Sequence, residues 1–372
     1  MATMMQTNQM LIDLRNGAGY AISRLSLLSE EVEHLVINYS DPLLFELKVY
    51  REDLEDIFYF IGCISHLKGL TLMNFEDENA PISIQSLAEL LFRVPELKMF
   101  SMESSRIAGN DADVEVLSEA FMTHPSLEEI CLAGIHAEAS IYMEPLGRAI
   151  AKVPSLQVVE IVETSFPPSG IWTGASLAAL CRSETLKVLR VRGVRYLMDK
   201  DVVEMAEALQ HNRAIKELWL LVCELGFQGT GAMAMGKMLQ VNTSLEVLGM
   251  SRLCFNEHAI FVADGLKDNK SLKALHLHLR DGRDCKIQLK YADVVSENYS
   301  LEKMTGGIVR NDVGASLVEF YLRLNRNHRK VLLQNDNCDK KRWLEALESQ
   351  SDDVSALFYL LSRKPSLCQA AF

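Results

Sequence analysis

The chain has 372 residues, 48% apolar and 24% charged, the balance of a folded protein with room for a large core. Its formal charge of −12 argues against wrapping nucleic acid by general attraction, so no nucleic-acid partner is expected. No run approaches the roughly 18 apolar residues of a membrane helix, and the first residues lack a secretory pattern, so no membrane association is expected.

Eight cysteines stand at 63, 131, 181, 223, 254, 285, 338 and 368, with no C-x-x-C pair, so zinc-ribbon and thioredoxin-like motifs have no local support. Scattered thiols of this kind suit a reducing compartment, cytoplasmic or nuclear.

In chain order, residues 1–66 read as an N-terminal cap. The first 30 carry no repeat, Val32 opens a candidate early copy ("VEHLVI"), and "VYREDLEDIFYFIGCISHL" is an amphipathic helix. From Leu67 a phrase recurs: an apolar leader, two variable residues, apolar, variable, apolar. Its leaders are Leu67, Leu97, Leu127, Leu156, Leu186, Ile215, Leu245, Leu272 and Leu301, at intervals of 30, 30, 29, 30, 29, 30, 27 and 29 residues. A fixed period in this range marks a solenoid, here over residues 67–308. The phrase alternates with period 2, as a strand does. The residues before each leader follow helical spacing, as in "VEVLSEAFMTHPSL". Residues 309–372 read as a helical C-terminal cap, built from "SLVEFYLRLN", "KKRWLEALES" and "VSALFYLLSRK". Its basic residues, Arg323, Arg326, Arg329, Lys330, Lys340, Lys341 and Arg342, read as a solvated helix face.

Strands stack about 4.8 Å apart while helices need about 10 Å, so such units must curve. The expected fold is α/β: a right-handed βα horseshoe with parallel strands on the concave face and helices on the convex face. These leucine-led phrases, each with a full helix, resemble the ribonuclease-inhibitor-like class of leucine-rich repeats. That family places Asn, Cys or Thr at the ninth position of the phrase to tie the following loop. Here the position holds Phe75, Ser105, Ile135, Thr164, Val194, Cys223, Leu253, Arg280 and Val309, so irregular loops are expected.

The segment "GTGAMAMGKM", residues 229–238, fits two nucleotide-loop patterns, G-x-x-x-x-G-K and G-x-G-x-x-A. Alignment to the following leader gives the glycines another role. Nine residues before the leaders stand Ala88, Ser118, Gly147, Leu177, Ala206, Gly236, Ala263 and Ala292, a nearly uniform small column. It reads as helices approaching the sheet closely. The next column, which includes Lys237, is almost all charged and faces solvent, and Met238 stands where a phosphate loop needs Ser or Thr. No cofactor and no metal are expected.

Third, fifth and seventh positions of the phrase face the concave side. At the middle of that surface apolar residues surround crossing charges, and the expected partner-binding residues are Glu160, Val188, Arg190, Arg192, Glu217, Trp219 and Leu221. Trp and Arg at the centre of a contact commonly carry binding energy. The competing reading is a Glu160–Arg190 pair beside a Trp219 lying flat on its neighbours. His276 and His278 share the inner face of one strand and complete the nine expected partner-binding residues; no further ligands lie nearby for zinc. Cys131 sits among acids that would raise its pKa.

No catalytic constellation emerges. The expected function is a non-enzymatic, monomeric scaffold that holds a protein partner on the concave face. The alternative, by fold analogy alone, is a regulator of a small GTPase of the GTPase-activating type.

Overall fold

Each leucine-led phrase forms a short strand in the computed structural model, and each helical stretch returns the chain to the start of the next strand. The structure describes residues 9–13, 21, 24–25, 32–39, 51–64, 66–75, 81–137, 143–163, 171–194, 197–221, 229–253, 256–279, 285–306, 313–326, 329, 332, 340–349 and 351–363. The chain divides into two compact units, Met1–Gly226 and Phe227–Phe372. Both are α/β solenoid, with a parallel sheet on one face and helices packed against it, and the second ends in helices.

The first unit holds strands β1 (Gln9–Asp13), β2 (His34–Asn38), β3 (Gly69–Met73), β4 (Ile82–Ser83), β5 (Met99–Ala108), β6 (Glu129–Ala137), β7 (Val158–Val162), β8 (Val188–Arg192) and β9 (Glu217–Leu221). Its helices are α1 (Arg51–Gly62), α2 (Ile84–Arg93), α3 (Asp111–Thr123), α4 (Glu144–Ile150), α5 (Gly174–Arg182) and α6 (Asp199–His211). The sheet runs β1–β2–β3–β5–β6–β7–β8–β9, all parallel, and β4 pairs with the far end of β5. Strand β2 is the early copy that opens at Val32. Strand β1 was not anticipated, because "QMLID" has no leucine-led phrase around it, yet its Ile12 is buried.

The second unit holds β10 (Val247–Leu253), β11 (Ala274–Leu279) and β12 (Lys303–Thr305), with α7 (Gly229–Val241), α8 (Asn256–Asp268), α9 (Cys285–Glu297), α10 (Val313–Arg326), α11 (Lys340–Glu348) and α12 (Val354–Arg363). Strand β11 pairs in parallel with β10 and with β12.

The alternation fixes which way each strand faces. Leaders and the fourth and sixth positions, such as Leu186, Leu189 and Val191, are fully buried beneath the helices, while the intervening positions are mostly half-exposed. Each buried leucine contributes about 1.5–3 kcal/mol.

Where a helix ends and the next strand begins, one residue three before the leader does the work of a cap. Asn212 Oδ1 accepts from the N–H groups of Ala214 and Ile215 (2.9 and 2.8 Å), while its Nδ2 donates to Ser183 O of the preceding repeat (2.7 Å). Asn269 repeats this: Oδ1 accepts from Ser271 and Leu272, and Nδ2 donates to Leu239 O and Asn242 O. Asn298 does the same with Ser300, Leu301, Leu266 O and Asn269 O. In earlier repeats His124 Nε2 meets Val94 O (3.1 Å), and Ser183 Oγ accepts from Thr185 and Leu186.

The opposite corner is more regular than the ninth-position residues led one to expect. At the eighth position the backbone is left-handed at Asn74, Ser104, Gly134 and Gly193 (φ 62, 46, 61 and 78°). The turn tucks Phe75, Ser105, Ile135 and Val194 into the core; Ser105 Oγ keeps a tie to Glu103 O (2.8 Å), and at the three apolar residues burial replaces it. Thr164, Cys223, Arg280 and Val309 lie outside the described residues.

The second unit closes on a small core of Leu324, Leu332, Trp343, Ala346, Ala356 and Leu360. Asp353 caps α12 by accepting from Ser355 and Ala356, and it pairs with Arg323. Arg329 departs from the expected solvated face. It is fully buried, donates to Val295 O and Asn298 O (2.9 Å each) and packs on the rings of Tyr299 and Tyr321. It thereby holds carbonyls left open at the end of α9.

Residues 229–238 lie within α7, so the Gly236–Lys237 pair is mid-helix. Gly236 is buried and Lys237 exposed. The small column serves a different contact from the one expected. A Cβ on Gly236 would collide with Phe261 O of α8, and one on Gly265 with Gly236 O, so the tight approach is helix to helix. In the first unit, a Cβ on Gly147 would meet Ile171 O and Ser176 at the entry to α5. Gly236→Ala therefore opposes its helix-propensity gain of about 1 kcal/mol. We expect a net loss of about 1–3 kcal/mol from overpacking, read by chemical denaturation, with Lys237→Ala within about 0.5 kcal/mol of wild type. A stabilised Gly236→Ala would contradict this packing.

Candidate functional site

Three adjacent strands carry seven of the nine residues singled out on the helix-free face. Register places Val158 beside Val188 beside Glu217, Glu160 beside Arg190 beside Trp219, and Val162 beside Arg192 beside Leu221. Neighbouring strands lie about 4.8 Å apart, so each row falls within reach of a side-chain contact.

The charges close on one another. Arg190 stands between two carboxylates: its Nη2 and Nε lie 2.8 and 3.0 Å from Glu217 Oε1, and its Nη1 lies 3.7 Å from Glu160 Oε2. Arg192 Nη2 approaches the other oxygen of Glu160 at 3.7 Å. Glu217 Oε1 also accepts from Trp219 Nε1 at 2.8 Å. Two carboxylates thus face two guanidinium groups, and the indole is fixed by the oxygen that holds Arg190. The Glu160 side chain is only 8% exposed, whereas that of Arg192 is 46% exposed. The Arg192 contact is consequently worth little by itself. Removing Arg190 would leave Glu160 buried with its charge poorly compensated, a costly outcome.

This arrangement contains the Glu160–Arg190 pair weighed against a free binding surface. The pairing leaves the apolar surroundings in place: Val158, Val162, Val188, Trp219 and Leu221 are all half-exposed. The face is a preorganised platform, an indole and four aliphatic side chains around a neutralised ionic mesh.

His276 and His278 belong to β11 of the second unit. His276 Nδ1 lies 2.5 Å from Thr305 Oγ1 on β12, which occupies the ring with a hydrogen bond. The His278 side chain lies outside the described residues. Among the described residues no group of three His, Cys, Asp or Glu is gathered as a metal site would require, and no helix is long and apolar enough to cross a membrane.

Cys131 faces the same side of the sheet on β6. Its thiol is pushed up to about 11, first by burial and further by Glu160, Glu103 and Glu129, against a hydrogen bond from Ser101 that lowers it. Burial, more than the acids expected to do it, silences this thiol. Cys181 is fully buried and pushed up to about 12, while Cys63 is exposed, and all three thiols are free.

No family model matches the chain, and no curated protein matches it. Solved structures do. The leiomodin-1 actin-binding site 2 structure is 18% identical, with a TM-score of 0.36, over 48% of this chain and 95% of that one. A Caenorhabditis elegans tropomodulin C-terminal domain is 14% identical, with a TM-score of 0.38, over 43% and 97%. A Bacteroides fragilis protein is 14% identical, with a TM-score of 0.42, over 76% and 68%.

Iodoacetamide labelling read by mass spectrometry checks the thiol chemistry. Cys63 should label at neutral pH, and Cys131 only as pH rises toward about 11, since the thiolate is the nucleophile. Equal labelling of both at pH 7 would contradict the burial of Cys131.

Proposed function

We propose that this protein is a non-catalytic interaction module that holds a protein partner on the helix-free face of the first unit, across β7, β8 and β9. The observation that carries this reading is the fixed indole: Glu217 accepts from Trp219 Nε1 while clamping Arg190, so the ring is ordered before any partner arrives. A side chain already held in place gives up little entropy on binding, and large aromatic side chains at the centre of an interface supply most of its energy. Val188, Leu221 and Arg192 would surround that anchor. His276 and His278, on β11 of the second unit, are proposed as partner contacts of that unit's own sheet face. The 27–30-residue period and the helix that precedes the strands support placing the chain among ribonuclease-inhibitor-like repeats. The free thiols support a reducing, cytoplasmic or nuclear setting. The GTPase-regulator alternative draws on no residue of this face.

Affinity capture with the full chain, quantified by mass spectrometry, tests the proposal. Trp219→Ala should lose about 2 kcal/mol or more of binding, the scale of an aromatic hot spot, and so release its partner, while Lys237→Glu on α7 should retain it. Recovery of the same proteins by Trp219→Ala would remove the site from this face.

A further inference from the structure

The edge of the first unit where helices end and strands begin carries a row of charge that its own fold does not balance. Residues one past each leader stack along this edge, because each backbone N–H donates to the carbonyl of its counterpart one repeat earlier. Lys98 bonds Lys68 O, Glu128 bonds Lys98 O, Gln157 bonds Glu128 O and Lys187 bonds Gln157 O. In the early repeats the side chains alternate in sign and pair: Lys68 with Glu33, and Lys98 with Glu128 at 2.9 Å. The second unit does the same at Lys273–Glu246 (2.8 Å) and Lys267–Glu297 (3.0 Å).

Beyond Glu128 the alternation stops. Lys152, Arg182, Lys187, His211 and Arg213 are all exposed, and among the described residues none has a carboxylate within the 4.0 Å of an ion pair. Arg182, His211 and Arg213 line a cleft of about 470 Å³ whose lining includes one acid, Glu184. Helix ends favour cations, but that cannot select these residues. The position of Lys152, Arg182 and His211, four before the leader, holds Thr123, Val241, Asp268 and Glu297 in other repeats, and the cation it holds before Leu97, Arg93, is paired with Glu89. Nor does capping require them, since Asn212 already donates to Ser183 O. Arg213 alone reaches nearby carbonyls, Gln210 O and Asn212 O.

We propose that this cleft is a docking site for an acidic segment of a protein partner, whose carboxylates would sit between Arg182, His211 and Arg213, with Lys187 further along the same edge. A concentrated positive patch on a chain of net charge −12 creates a local field that steers such a segment. Nucleic acid fits less well, because the row contains no Trp, Tyr or Phe for base stacking and the whole chain repels a long polyanion. A flat anionic bilayer cannot enter the cleft. The site is separate from the β7–β9 platform, and the two proposals fail independently.

Fluorescence anisotropy with the full-length chain and a labelled Glu/Asp peptide tests it. A single-stranded RNA of equal charge and phosphatidylserine vesicles serve as comparison probes. The peptide should bind at low salt and weaken as salt is raised. Arg182→Glu with Lys187→Glu should weaken it about tenfold or more, while Trp219→Ala leaves it unchanged. If the charge-reversed chain fails to fold by circular dichroism, Arg182→Gln with Lys187→Gln decides by the same loss. No peptide binding at low salt, undiminished binding by the double variant, or tighter binding of RNA or vesicles would overturn the proposal.

Discussion

Every repeat in this protein must solve the same problem at the turn from helix to strand. The last carbonyls of a helix and the first N–H groups of a strand meet in a place closed off from water by the next repeat. A buried polar backbone group left unpaired costs about 1–3 kcal/mol, and a repeating fold would incur that loss many times. Before Leu97 and Leu156 the leader N–H bonds back to Val94 O and Val153 O, whereas in the later repeats the solution is a single side chain three residues before the leader. Asn212, Asn269 and Asn298 each accept from two N–H groups of their own turn and donate to a carbonyl of the repeat before. An amide suits this position because it carries an acceptor and a donor on one planar group. The ladder ties these repeats to their predecessors, and at its end Asn325 and Arg329 continue it, both reaching Asn298 O.

With the turns satisfied and the leucine positions buried, the remaining positions of each repeat are released from folding. That freedom is used unevenly. Along the strand-start edge some charges are spent on cross-repeat pairs, such as Lys98–Glu128 and Lys273–Glu246, while the cations from Lys152 to Arg213 are not. On the helix-free face they condense into one mesh, Glu160–Arg190–Glu217 with Arg192, and the mesh orders Trp219. Binding surfaces on a solenoid arise from such local departures, because the fold itself makes every repeat alike.

The strands and helices were legible in the sequence because their periods, 2 and 3.6, are set by backbone geometry and repeat nine times. The face of each side chain followed from the same periods, so Glu160, Arg190 and Trp219 could be placed side by side before any coordinates. What escaped were facts that depend on neighbours. The small column at Gly147 and Gly236 was visible, but its partner was taken to be the sheet when it is the following helix or its entry. Asn212, Asn269 and Asn298 are in the sequence no more than polar residues between a helix and a strand, since their donor bonds cross to a different repeat. The corner at Asn74, Ser104, Gly134 and Gly193 was hidden because its residues share a backbone conformation and no common side chain. Arg329 read as one more surface cation, and only the rings and carbonyls around it reveal that it is buried.

The most direct test of the ladder is hydrogen exchange at the turn amides it holds, those of Ile215, Leu272 and Leu301. These N–H groups bond to side chains, outside any helix or strand, so ordinary turns would leave them fast. If the side-chain amides close the turns, they exchange as slowly as the central strand amides of Leu218 and Leu275. Exchange at the rate of exposed loops, with the strand amides still protected, would show that the repeats are joined by something other than this ladder.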